Sequence, residues 1–171
     1  MKRLLLLRHA KSSHDDPGLS DIERPLNTRG VMAAHMMGRY LQEQDLVPDY
    51  ILCSPAVRTR QTLKNLKQHL DQKVPVCYPD GLYLAQPSMV LDMIRGVDNK
   101  YDTLLLIGHN PTINLLAHDL NDGKNREDHR RLIEKYPTGA LSVLNFKLDS
   151  WQDMDRKTAR LERFICPKDL I

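Results

Sequence analysis

Four consecutive leucines near the start of the chain constrain its fold more than any other feature. Residues 4–7 are uniformly apolar and are followed directly by Arg8 and His9. A run of this length predicts a buried β-strand and is far too short to cross a membrane, which needs about 20 apolar residues. In α/β sheets, ligands bind just beyond the carboxyl ends of the strands. The Arg-His pair therefore indicates an anion-binding site with a base or nucleophile. The same two residues would also occur where each forms an ordinary surface ion pair with an acidic side chain.

Apolar segments of strand length alternate with amphipathic segments of helix length along the rest of the chain. Strands are expected at residues 49–53, 74–78, 102–107, 140–148 and 158–164. Helices are expected at residues 28–44, 55–70, 87–97 and 112–120, with Thr28 as the N-cap of the first and Pro55 opening the second. Residues 11–27 lack such a pattern and are expected to be a loop. Residues 121–136 are polar and charged, which indicates a solvated loop or an exposed helix face.

This alternation predicts the fold class and the number of domains. Strands that alternate with helices form a parallel sheet that is covered on both faces. We therefore expect one α/β domain over residues 1–171, with a three-layer α/β/α architecture. The last two strands follow one another without a helix, so the mostly parallel central sheet is expected to have an antiparallel edge.

The charge and the cysteine content exclude several classes of function. The formal net charge of +3, from 25 basic and 22 acidic residues, is too small to indicate a nucleic-acid partner but would attract an anionic substrate. The three cysteines lack Cys-x-x-Cys spacing, which argues against a disulfide framework and a zinc site and fits the reducing cytoplasm. Lys2 and Arg3 precede the leucines as in a signal peptide, but the apolar run is shorter than the roughly 7–15 residues that export requires. We expect a cytoplasmic protein that binds neither nucleic acid nor membrane.

Three predicted strands end in residues that suit the binding of a phosphate group. Arg8 and His9 end the first strand, Arg58 follows the second, and His109 follows the strand at residues 102–107. If these strands are parallel, their carboxyl ends share one edge of the sheet, and two Arg and two His side chains converge there. Guanidinium groups bind phosphoryl oxygens in a bidentate way, and a neutral imidazole nitrogen can attack phosphorus in line. The spacing thus predicts phosphoryl transfer through a phosphohistidine.

Five sequence blocks, in order, resemble the histidine phosphatase superfamily. Residues 6–13, Leu-Leu-Arg-His-Ala-Lys-Ser-Ser, are similar to the Arg-His-Gly signature of that family, with Ala10 in place of Gly. The other blocks are residues 24–30 (Arg-Pro-Leu-Asn-Thr-Arg-Gly), 53–62 (Cys-Ser-Pro-Ala-Val-Arg-Thr-Arg-Gln-Thr), 108–111 (Gly-His-Asn-Pro) and 136–140 (Tyr-Pro-Thr-Gly-Ala). The last block resembles the SixA-like branch, the phosphohistidine phosphatases. The resemblance covers nearly the whole chain.

The resemblance implies a phosphoglycerate-mutase-like three-layer fold and catalysis without a metal ion or another cofactor. It implies that His9 is the nucleophile that becomes transiently phosphorylated. The rest of the phosphate pocket is then expected to consist of Arg8, Arg58 and His109. Three further side chains are expected to contact the substrate: Arg24, Asn110 and Ser12.

One departure from the family pattern bears on the substrate. Family members that hydrolyse phosphate esters have a Glu after the third strand as general acid, and Leu84 stands where such an acid is expected. The acid is then Asp80, Asp15 or absent. An alkoxide leaves poorly without a proton, whereas a phosphoramidate can leave as imidazole once its nitrogen is protonated. The sequence thus favours phosphohistidine in a protein, such as a histidine-phosphotransfer domain, as the substrate.

Two other functions stay open at this point. One is a phosphatase of a small phosphorylated metabolite, which an acid at position 84 and insertions around the substrate would have favoured. The other is a non-catalytic phosphate-binding module, which the loss of His9 or of an arginine would have favoured. A nucleotide-binding protein is excluded, because neither a glycine-rich dinucleotide turn nor a P-loop follows any predicted strand.

Overall fold

The leucine run forms an inner strand of a six-stranded sheet. The computed structural model describes residues 1–171. The strands are β1 (Lys2–Arg8), β2 (Tyr50–Cys53), β3 (Val76–Cys77), β4 (Thr103–Gly108), β5 (Leu141–Phe146) and β6 (Ala159–Ile165). The helices are α1 (Thr28–Glu43), α2 (Val57–Lys67), α3 (Pro87–Arg95), α4 (Thr112–Leu120) and α5 (Arg126–Glu134). None of the five helices combines the length and the apolar character that crossing a membrane requires.

The strand order brings the carboxyl ends of β1, β2 and β4 together. The order is β3-β2-β4-β1-β5-β6, with the first four strands parallel and β5 and β6 pairing in antiparallel fashion. This confirms the predicted mostly parallel sheet with an antiparallel edge. Arg8 of β1 lies opposite Gly108 of β4, and Cys53 of β2 lies opposite Ile107. The three strands therefore end at the same edge of the sheet.

Two apolar cores, one on each face of the sheet, hold the helices in place. In β1, Leu4 and Leu6 belong to one core and Leu5 and Leu7 to the other, and all four are fully buried. Helices α3, α4 and α5 pack on the first core, and α1 and α2 pack on the second. Burial stabilises a fold by about 1.5–3 kcal/mol per leucine side chain, which favours an inner position for this strand. The result is the three-layer α/β/α architecture that the alternation of elements predicted.

Two helix starts differ from the prediction. The N-cap of α1 is Asn27 and not Thr28, because the Asn27 side chain accepts a hydrogen bond from a backbone N–H of the first turn at 2.9 Å. Helix α2 begins at Val57 and not at Pro55. The reason is that the chain still pairs with β4 at Ser54, whose N–H donates to a β4 carbonyl at 3.0 Å.

Helix α5 lies in residues 121–136, where the sequence had left a loop and an exposed helix face as alternatives. Its N-cap is Asn125, whose side chain accepts a hydrogen bond from the Asp128 N–H. Leu132 is the buried residue of this helix, and the rest is half-buried or exposed. A helix with so few apolar residues does not produce the periodic pattern on which the prediction depended.

Candidate functional site

All seven side chains predicted to contact phosphate line one cavity, at the edge of the sheet where β1, β2 and β4 end. The cavity has a volume of about 570 Å³, and no hydrophobic side chain lines it. The predicted residues in its wall are Arg8, His9, Ser12, Arg24, Arg58, His109 and Asn110. Lys11 adds a fourth cationic side chain, and Asp15 is the single acidic residue in the wall. The balance of charge in the cavity favours an anionic ligand.

The His9 ring is held with one nitrogen bound to the backbone. The residue is 6% exposed, and its Nδ1 lies 2.7 Å from the Ala10 carbonyl oxygen. Because a carbonyl oxygen only accepts hydrogen bonds, Nδ1 carries the proton and Nε2 has the lone pair. Burial, with the charges of Arg58 and Arg8 adding to it, lowers the pKa of His9 to about 4. The ring is therefore neutral near pH 7, and Nε2 can attack an electrophile.

His109 lies next to His9, with the ring centroids 5.3 Å apart. Its Nε2 lies 2.7 Å from Ser54 Oγ, which accepts a hydrogen bond from the Ala56 N–H. The Ser54 hydroxyl can then donate to Nε2, an arrangement that places the His109 proton on Nδ1. Burial, followed by the charge of Arg58, lowers the pKa of His109 to about 3. In this tautomer the neutral ring presents an N–H donor at Nδ1. No sequence motif had indicated this contact between Ser54 and His109.

The Tyr136 carbonyl positions both Arg8 and Asn110. Arg8 Nη1 donates to it at 2.9 Å, and Asn110 Nδ2 donates to it at 3.0 Å. Tyr136 is itself buried, and its hydroxyl donates to the Leu6 carbonyl of β1 at 2.7 Å. Burial and the charge of Arg58 lower the pKa of Arg8. The positive charges of Arg8 and Arg58 repel one another, and an anion bound between them relieves the repulsion.

Asp21 holds Arg58 in place, although no sequence motif indicated it. Arg58 Nη1 donates to the Asp21 carbonyl at 2.7 Å, and Nη2 donates to the Asp21 carboxylate at 3.0 Å. The same carboxylate accepts a hydrogen bond from the Tyr83 hydroxyl and pairs with Arg24 Nη2 at 3.1 Å. The Tyr83 hydrogen bond, helped by the two arginines, lowers the pKa of Asp21 to about 2. Because both Nη groups of Arg58 have a partner, the Nε–H edge remains for a ligand.

Arg24 and Ser12 connect the chain after β1 to the chain before α1. Arg24 Nη1 donates to Ser12 Oγ at 2.8 Å, and Ser12 pairs with Leu26 in an isolated antiparallel bridge. These contacts hold residues 11–27 beside the cavity, although no periodic pattern predicted regular structure there. The one feature of the local sequence that could have indicated Asp21 is its position three residues before Arg24, which allows the two side chains to form an ion pair.

Four buried side-chain polar atoms have no hydrogen-bond partner, and all four belong to residues of this cavity. They are Arg8 Nε, Arg58 Nε, His109 Nδ1 and Asn110 Oδ1. Buried polar atoms in proteins are nearly always paired, so such a cluster marks a place where a polar ligand fits. Two of the four are guanidinium N–H donors, and His109 Nδ1 is a third donor when it carries the ring proton. This arrangement can bind the oxygens of a phosphoryl group beside His9.

Acidic side chains that could donate a proton are scarce around the cavity. Asp15 lines it, whereas Asp80 and Leu84 do not. Leu84 is 81% exposed, and Asp80 begins the short 3-10 helix Asp80–Leu82 on the surface. Nowhere in the chain do three His, Cys, Asp or Glu side chains lie together as metal ligands would.

Comparison with known proteins places the chain among phosphatases. The sequence model of the histidine phosphatase superfamily (branch 1) matches residues 4–82. The uncharacterized protein Rv1276c of Mycobacterium tuberculosis is 37% identical over 164 residues, which cover 95% of this chain and 100% of that protein. Phosphohistidine phosphatase SixA of Escherichia coli is 26% identical over 128 residues, which cover 71% of this chain and 76% of that protein. A crystal structure from Agrobacterium tumefaciens, proposed to be a phosphohistidine phosphatase SixA, has a TM-score of 0.82 at 30% identity and covers 97% of this chain and 98% of its own.

Proposed function

Because this chain belongs to the histidine phosphatase superfamily and is a phosphatase, we propose that it removes phosphate from phosphohistidine in proteins, through a covalent intermediate on His9 and without a metal ion. The observation that carries the proposal is the state of His9. Its Nδ1 is bound to the Ala10 carbonyl, so the lone pair is on Nε2, in a cavity with three guanidinium groups. A neutral imidazole beside bound phosphate oxygens is suited to nucleophilic attack on phosphorus.

In the first step, His9 Nε2 forms a bond to phosphorus and the P–N bond of the substrate phosphohistidine breaks. The bonding electrons go to the substrate imidazole, which leaves as a neutral ring because its other nitrogen is already protonated. The phosphorylated His9 ring is cationic, and its Nδ1–H donates to the Ala10 carbonyl throughout. The N–H groups of Arg8, Arg58 and His109 stabilise the charge on the three transferring oxygens.

In the second step, water attacks the phosphorus of the intermediate and the P–Nε2 bond breaks. The electrons return to His9, which is again neutral with its proton on Nδ1. The products are hydrogen phosphate and one proton, which passes to solvent. Neither step requires a metal ion, because the arginines supply the positive charge that a metal would otherwise provide.

The scarcity of acidic side chains at the cavity supports phosphohistidine over a phosphate ester as substrate. Asp15, the single acidic residue in the cavity wall, is exposed to solvent. Leu84 occupies the expected position of the acid and does not line the cavity, and Asp80 does not line it either. Asp21 is a poor proton donor because its pKa is lowered to about 2. An ester would release an alkoxide that needs a proton at once, whereas a protonated phosphoimidazole leaves without help.

The test compares specificity constants on three substrates: a histidine-phosphotransfer domain phosphorylated on histidine, a phosphoserine peptide and a sugar phosphate. We expect the highest kcat/KM on the phosphohistidine domain. His9→Ala should lower kcat/KM by about 10⁴-fold or more and abolish the acid-labile phosphoenzyme, because nothing else replaces the nucleophile. Faster turnover of the sugar phosphate would instead identify a metabolite phosphatase. Binding of phosphate without any turnover would identify a non-catalytic module.

A further inference from the structure

A second depression, here termed the basic groove, adjoins the phosphate cavity. It has a volume of about 450 Å³ and lies between the first half of α1, the end of α5 and the chain after β6. Lys11 and Thr138 line both the basic groove and the cavity, so the two adjoin along these residues. Four cationic side chains line the groove: Lys11, Arg29, Lys135 and Lys168. None of the side chains that line it is acidic.

The four cations of the basic groove have no acidic partner. None of them forms a salt bridge within the chain. By contrast, Arg131 on α5 pairs with both Asp128 and Asp169. Unpaired charges of one sign around a concave surface create a potential that concentrates ions of the opposite sign. The groove therefore attracts carboxylate or phosphate groups.

Apolar side chains share the groove with these cations. Met32, on α1, is 60% exposed, and Met36, one turn further, is half-buried. Pro137 and Pro167 also line the groove. Methionine side chains are flexible and adapt to the shape of a bound partner. A segment in which acidic and apolar residues alternate would satisfy both kinds of side chain.

The wall of the groove is held at a fixed distance from His9. The Gly139 N–H donates to the Arg8 carbonyl at 3.1 Å and to the His9 carbonyl at 2.9 Å. Gly139 has a φ of 76°, and a Cβ at this position would lie 2.9 Å from Pro167 Cγ. The groove wall therefore packs closely against the backbone of the site residue. Thr138 lines both the groove and the cavity and marks the place where they meet.

We propose that the basic groove binds an acidic, partly apolar segment next to the phosphohistidine of a protein substrate. This inference rests on the proposed function, since a small phosphorylated metabolite would occupy the cavity alone. Charge complementarity defines the partner: carboxylates meet the four cations, and apolar side chains meet the methionines. A membrane with anionic lipids has the same charge, but the position of the groove directly beside the cavity favours a peptide segment that carries the phosphohistidine.

The test uses two phosphohistidine peptides of equal length, each phosphorylated chemically on one histidine. Glu and Leu alternate around the phosphohistidine in the first peptide, and Gln replaces every Glu in the second. A third substrate, phosphoramidate, is too small to reach the groove. The groove variant is Lys135→Glu/Lys168→Glu, which leaves the cavity wall unchanged. The matched control, Lys64→Glu/Lys67→Glu, changes the net charge equally at exposed positions of α2 outside the groove.

We expect the unmodified protein to have a kcat/KM about tenfold higher for the acidic peptide than for the neutral one. The groove variant should lose this preference, the control should keep it, and all three proteins should hydrolyse phosphoramidate at the same rate. Equal rates on the two peptides, or the same loss in the control, would overturn the docking inference and leave the proposed function standing.

Two further outcomes separate the remaining possibilities. Binding to phosphatidylglycerol vesicles that the groove variant loses, with peptide preference unaffected, would assign the groove to a lipid surface and overturn the inference. Failure to hydrolyse phosphoramidate and both peptides would overturn the proposed function itself, and the docking inference with it.

Discussion

Mild acid should destabilise this protein through His9, before most carboxyl groups titrate. The pKa of His9 in the folded protein is about 4, whereas the ordinary value is 6.5. Between these two values the unfolded chain binds more protons than the folded one, so the free energy of unfolding falls as the pH falls. The stabilisation that arises from the lowered pKa of His9 is fully present above about pH 6.5 and is lost as the pH decreases towards 4. At pH 5 the loss amounts to about 2 kcal/mol, out of a total stability of roughly 5–15 kcal/mol.

Urea unfolding at pH 8 and at pH 5 measures this loss, with His9→Gln as the test variant. Glutamine does not titrate. Between pH 8 and pH 5, the free energy of unfolding of His9→Gln should therefore fall by about 2 kcal/mol less than that of the unmodified protein. His118→Gln, which replaces an exposed imidazole on α4, is the matched control and should behave like the unmodified protein. The pKa of His109 is also lowered, to about 3, so this residue too reduces the free energy of unfolding in acid. Because all three proteins retain His109, its effect cancels in the comparison.

An equal loss in His9→Gln and in the control would refute the reasoning. It would mean that His9 is not held neutral by its surroundings. Part of the protein would then have a protonated His9 near pH 7, and a protonated ring has no lone pair at Nε2 for the attack on phosphorus.

Three other predictions concern activity. Arg58→Ala should lower kcat/KM on a phosphohistidine protein by about 10²–10³-fold, because it removes a donor to the transferring oxygens; a loss below tenfold would contradict a role in the pocket. Asp21→Asn should lower kcat/KM by about tenfold by releasing Arg58. The same substitution should have no further effect in the Arg58→Ala background, and additive losses would show that Asp21 acts by another route. Vanadate should inhibit competitively and EDTA should not; strict dependence on a metal ion would overturn the proposed mechanism.

The parts of the site that the sequence revealed are those attached to strand ends. A buried strand can be recognised from its own residues, and Arg8, His9 and His109 lie within or directly after such strands. Parallel pairing then requires that the strand ends meet, whatever the details of packing. The same local signals predicted the three layers and the antiparallel edge of the sheet. They could not reveal α5, because that helix is defined by its capping and by one buried leucine, and not by a repeated apolar pattern.

The remaining features of the site depend on contacts between distant parts of the chain. The proton position on His109 depends on Ser54, which is 55 residues away in sequence, and the orientation of Arg58 depends on Asp21, which is 37 residues away. The basic groove likewise combines residues from α1 with residues that follow α5 and β6. Sequence by itself determined the six strands, four of the five helices and the side chains that stand at the strand ends, because those properties depend on neighbouring residues. Only the tertiary structure determined protonation, orientation and the shape of the surface beside the cavity, because those properties depend on which distant groups the fold brings within hydrogen-bonding distance.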